Sequence, residues 1–165
     1  MTVLAEGTPN IDAKSTGASA TGVSGGIFVQ NKLTIKDGAV TANGAESITV
    51  SGKSGRLNQA RSVGVELKHL AVDGGSLSAN SKKACDNGDQ SYGIWSYDTF
   101  NSDDNASITI SDGSVHATSG GIAVSASSLS LNGITAQVST DMNGTDKTEY
   151  TDGANLEKYK WFKVN

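Results

Sequence analysis

One short phrase is written four times in this chain, and that repetition restricts the fold more than any other feature. "LTIKDGAVTANG" begins at Leu33, "LAVDGGSLSANS" at Leu70, "ITISDGSVHATSG" at Ile108 and a worn "LSLNGITAQVST" at Leu129. Upstream of each lies a second signature: "GIFVQ" from Gly26, "GVELK" from Gly64, "GIWSY" from Gly93 and "GIAVS" from Gly121. The full unit reads G-[IV]-x-x, a spacer, then L-x-I-x-D-G-x-V-x-A. Within it apolar and polar residues alternate, as in half-buried strands. The Asp37-Gly38 type of pair between the runs tolerates positive φ and marks a change of direction.

An antiparallel hairpin stack and a parallel coil both use such a pattern. The coil is preferred, because equivalent positions carry like residues from unit to unit, as stacking in columns requires. The columns are Ile27, Val65, Ile94 and Ile122; Leu33, Leu70, Ile108 and Leu129; Ile35, Val72, Ile110 and Leu131; Val40, Leu77, Val115 and Ile134; and Ala42, Ala79, Ala117 and Ala136. Burial of one Val or Leu contributes roughly 1.5–3 kcal/mol, so such columns hold a slender core although only 36% of residues are apolar. The expected fold is all-β: a single-stranded right-handed parallel β-helix, a three-sided solenoid of about four to six coils. Residues 1–25 read as a lead-in or incomplete first coil, and 26–140 as the β-helix, with insertions at 45–63, 81–92 and 98–107. Residues 141–165, with "YKWFKVN", read as a C-terminal cap or edge strand. The corner from Leu131 to Ile134 is shorter than that from Ile35 to Val40, so the fourth rung is expected to be distorted.

Composition narrows the function by exclusion. A net charge of −4 argues against nucleic acid or an anionic membrane as partner. No apolar run reaches the length of a membrane span, and the first residues do not read as a secretory signal. Cys85 is the only cysteine, which rules out an intrachain disulfide and a thiolate metal site.

The G-I and L-x-I-x-D-G cadence over roughly residues 22–140 resembles the repeats of right-handed parallel β-helix domains in secreted and cell-surface proteins of Gram-positive, largely clostridial, bacteria. Some of those relatives bind carbohydrate, and the wider superfold includes pectate-lyase-like enzymes. The resemblance implies an extracellular or cell-surface module of a larger multidomain protein. Several such relatives carry Asp-Asp-Gly-Ile at successive rungs, where carboxylates gather calcium; here the corresponding feature is Asp103-Asp104-Asn105 inside one insertion.

Parity along the strands places Phe28, Glu66, Trp95 and Ala123 on the outside of the first face, with Gln30, Lys68 and Tyr97 one step on. Tyr92 and Asp98 lie nearby. Three readings fit this strip. Aromatic rings and polar groups together suit a polysaccharide or cell-surface glycan. The neighbouring insertions could instead fold over Phe28 and Trp95, or a partner protein could dock there. Asp103 and Asp104, with Asp86, Asp89 and Asp98, suit either calcium or solvated loops. Neither His69 nor His116 has an evident nucleophile partner, so no catalytic residue is assigned. The expected role is a non-catalytic module that binds carbohydrate or acts as a spacer, without an obligate cofactor. The alternative is a polysaccharide-acting lyase or glycoside hydrolase on the same scaffold.

Overall fold

A computed structural model describes residues 2–6, 10–15, 20–52, 58–83, 90–97, 105–151 and 153–165. The elements are β1 (Thr2–Glu6), β2 (Asn10–Ser15), β3 (Ala20–Ile35), β4 (Ala39–Asn43), β5 (Ser47–Gly52), β6 (Asn58–Ser81) and β7 (Gln90–Ser96). They continue as β8 (Ser107–Ser119), β9 (Ile122–Ser125), β10 (Ser128–Ser130), β11 (Ala136–Ser139), β12 (Thr148–Glu149), a 3₁₀ turn (Leu156–Lys158) and β13 (Trp161–Val164). The protein is all-β: one curled 11-stranded sheet and a two-stranded sheet of β2 and β5. Among the described residues no helix is long and apolar enough to cross a membrane.

The apolar columns are visible as strand register. Leu33 pairs with Leu70, Leu70 with Ile108 and Ile108 with Leu129, all between parallel strands. Ile35, Val72 and Ile110 form the next such row, and Val40, Leu77 and Val115 another. Leu70, Val72, Ile108, Ile110 and Val115 are buried in one continuous core. The Asp-Gly corners work as their chemistry dictates: Gly38 and Gly113 take φ of 83° and 87°. The Asp37 and Asp112 carboxylates each accept from the following glycine N–H, at 2.6 and 2.7 Å.

The recurrence of the unit's other glycine has a different cause. Gly64 needs no positive φ, but a Cβ there would lie 2.6 Å from both the Asn80 amide nitrogen and the Gly93 carbonyl oxygen. Gly26 and Gly93 meet equivalent backbone, beside Asn43 and Ala79. At this neck two walls approach backbone to backbone, which leaves no room for a Cβ on the glycine side. Polar ladders run along the same region. Ser81 Oγ donates to Ser62 Oγ at 2.8 Å, and Ser91 Oγ links Ser81 and Ser119 at 2.8 and 2.9 Å. Asn80 Nδ2 donates to Asn43 Oδ1, and Thr118 Oγ1 to Asn80 Oδ1, both at 2.9 Å. The buried serine hydroxyls are thereby satisfied.

Three expectations are corrected. The sheet is mixed rather than wholly parallel, because β13 runs antiparallel between β8 and β11. Ile134 and Ala136 therefore do not stack on Val115 and Ala117; Val164 and Phe162 do. The short corner of the fourth unit explains this: Asn132 and Gly133 turn with φ of 43° and 87°, β11 stays off β8, and Phe162, 1% exposed, fills the space. In the first column the neighbour of Ile94 is Val124, not Ile122. Ala123 lies against the Gly93 neck instead.

Pairing also begins further upstream than the phrase suggests. Val3 and Ala5 pair with Val40 and Ala42, Ile11 with Ile48, and residues 20–25 with 58–63.

Two substitutions test this packing. Gly64→Ala should lower stability by about 1–3 kcal/mol, the range for overpacking against rigid backbone, as read by denaturant unfolding. Ile110→Asp places an unpaired charge at a fully buried site and should abolish the cooperative transition; a variant that melts like the parent contradicts the assignment of Ile110 to the core.

Candidate functional site

The first face is built by β3, β6, β7 and β9. Burial of Val65 and Leu67 turns Glu66 outward, and burial of Ile94 and Ser96 does the same for Trp95. Register then sets Phe28, Glu66, Trp95 and Ser125 in one row across four strands. Ser125, not Ala123, is the fourth member; Ala123 is buried. A second row carries Val23, Arg61 and Gln90. Among the described residues the large apolar side chains left exposed are Val23, Phe28 and Tyr97, at 41%, 53% and 44%, and all three lie on this face.

Tyr92, Trp95 and Tyr97 form a stack along the strand. Their ring centroids are 5.0 and 5.1 Å apart, with interplanar angles of 10° and 17°. Such near-parallel rings cover one another's faces. Both tyrosines stack on the Trp95 indole, and the Arg61 guanidinium lies 4.6 Å from its ring centroid. The free stacking surfaces are Tyr97, at the end of the stack, and Phe28, whose ring lies over Gly25, where a Cβ would collide with it.

Arg61 also reaches Glu66, with Nη2 3.4 Å from Oε2. Burial raises the Glu66 carboxyl above its ordinary 4.5, and the Arg61 charge opposes that rise. Arg61 Nε and Glu66 Oε2 are buried and make no hydrogen bond. The pair is thus a charge contact that braces Arg61 against Trp95. Sequence reasoning passed over Arg61, because alternation counted back from the outward Glu66 sends position 61 inward; the buried run from Ser62 to Val65 breaks that parity.

Asp98, Asp103 and Asp104 lie outside the described residues. Among the described residues no group of three or more His, Cys, Asp or Glu side chains is placed to hold a metal ion. The two histidines stand apart from this face. His69 Nδ1 lies 3.0 Å from Ser107 Oγ. His116 packs edge-on to Trp161, with centroids 5.6 Å apart, and its register partners are Ser78 and Lys163. Lys147 Nζ sits 5.1 Å from the Trp161 ring centroid. Burial, with Lys163 and Lys147 nearby, lowers the His116 pKa below 6.5; its Nε2 is buried without a hydrogen bond.

No protein-family model matches the chain, and neither a curated protein nor a solved structure matches it.

The His116 environment has a signed consequence. As pH falls through 6.5 the unfolded chain takes up this proton before the folded one does. Stability is therefore full above that value and is lost as pH drops toward the folded pKa. Glu66 has the opposite sign: as pH rises above its ordinary 4.5 the folded state holds the proton more readily, so its contribution declines with rising pH. The melting temperature should fall between about pH 7 and pH 5, and His116→Gln should flatten that fall. An unchanged slope in the variant contradicts the assignment.

Proposed function

We propose that the chain winds as successive coils of a right-handed parallel β-helix and serves as a non-catalytic, carbohydrate-binding module of a secreted or cell-surface protein. The parallel, in-register rows from Leu33 to Leu129 support the winding. The antiparallel β11–β13 segment then covers one end, as a solenoid requires.

One observation carries the functional reading: Val23, Phe28 and Tyr97 are all exposed on the same face, around a braced aromatic stack. Grouped exposed apolar side chains mark interaction surfaces. The open faces of Phe28 and Tyr97 suit the apolar C–H faces of sugar rings, while the exposed amides of Gln30 and Gln90 suit hydroxyl groups. The braced Trp95 holds Tyr97 in place at little entropic cost on binding. Binding is favoured over catalysis because the Glu66 carboxylate is engaged by Arg61 and its Oε2 is buried.

A glycan array on the purified chain, with calcium and with a chelator, tests this. Tyr97→Ala and Phe28→Ala should each weaken binding to any array hit roughly tenfold, or 1.4 kcal/mol. Both should change unfolding free energy by less than about 0.5 kcal/mol. Absence of any hit, or a hit indifferent to both substitutions, contradicts the reading.

A further inference from the structure

The row of Phe28, Glu66 and Trp95 continues past Ser125 into a cavity of about 380 Å³. One side is the chain leaving β9 for β10; the other is the segment before the 3₁₀ turn, held because Glu157 N donates to Asn155 Oδ1 at 2.8 Å. Ala123 N also donates to Tyr159 O at 2.7 Å, which ties this segment to β9. Tyr150 and Leu156, each 8% exposed, supply apolar surface. Ser125, Ser128 and Asn155 supply hydroxyls and an amide, and among the described residues Glu157 is the only charge in the lining.

That lining is selective by chemistry. Among the described residues it holds no Lys or Arg, so an anionic ligand meets the Glu157 carboxylate and no counter-charge from them. Its volume is at the low end of ligand sites, the size of one ring rather than a chain. An apolar surface beside hydroxyl and amide groups fits a neutral polyhydroxylated ring. Asn155 Oδ1 is engaged by backbone, which leaves the Nδ2 donors for a ligand. The cavity starts one strand spacing, about 4.8 Å, beyond Trp95.

We infer that this cavity is a subsite for a terminal, uncharged sugar residue of the glycan that crosses Phe28 and Tyr97, so that the module recognises chain ends. The inference rests on the proposed carbohydrate-binding role and names the part of the ligand that is read.

The test is amide NMR titration of the whole chain with methyl β-D-glucoside and methyl β-D-galactoside, with glucuronic acid as the charged control. At least one neutral glycoside should shift residues 125–129, 150 and 153–157, and glucuronic acid should not. Ser128→Trp, at an exposed rim position, should block those shifts. Asn155→Asp keeps the acceptor for Glu157 N but removes the Nδ2 donors, and should weaken binding roughly tenfold. No shift with either glycoside, equal shifts with glucuronic acid, or shifts indifferent to both cavity variants overturns the subsite. An oligosaccharide that needs Tyr97 but ignores Ser128→Trp overturns the subsite and leaves the face reading standing. Cavity shifts without any array hit overturn the face reading and the chain-end assignment together, and leave only a monosaccharide site.

Discussion

In-register contact between like side chains on adjacent parallel strands is the constraint on which this molecule depends. A row such as Leu70 and Ile108 packs well because matched shapes meet at the fixed spacing of paired strands. A slip of one residue would turn every apolar side chain in the row outward. The neck strengthens that constraint. Because a Cβ at Gly26, Gly64 or Gly93 would strike backbone, these glycines set how closely the walls can approach. The Ser62–Ser81–Ser91–Ser119 hydroxyl chain holds the same region in one register, since each group needs its neighbour to be satisfied.

Much of this was legible from residue type and spacing. Leu33, Leu70, Ile108 and Leu129 stand in the order that the repeated phrase implies. Three features were hidden for physical reasons. Ala123 replaces the neck glycine two positions beyond Gly121, so anchoring the fourth unit on its "GI" displaced the column from Val124 to Ile122. The seat of β13 depends on Phe162 filling space left by a short corner, and no local pattern announces a partner so distant in sequence. The pairing of β2 with β5 joins "NIDAKS" to "SITVSG", which share little beyond one isoleucine and alternation.

The candidate site was legible in parity but not in geometry. Alternation was enough to send Phe28, Glu66, Trp95 and Tyr97 outward. It could not show that Tyr92 and Tyr97 cover the indole, which moves the open stacking surface from Trp95 to Tyr97 and Phe28. Nor could it show that Arg61 spends its charge on Trp95 and Glu66 rather than on solvent. The resulting face combines exposed rings with a stiff base, and rigidity in the unbound state lowers the entropic cost of holding a ligand.

Methyl-methyl nuclear Overhauser contacts measure the central constraint directly. With leucine and isoleucine methyls labelled, strong contacts are predicted for Leu33 with Leu70, Leu70 with Ile108, and Ile108 with Leu129. Absence of these contacts in a folded sample, or a set shifted by one residue along any strand, would contradict the stacked architecture and the face that it positions.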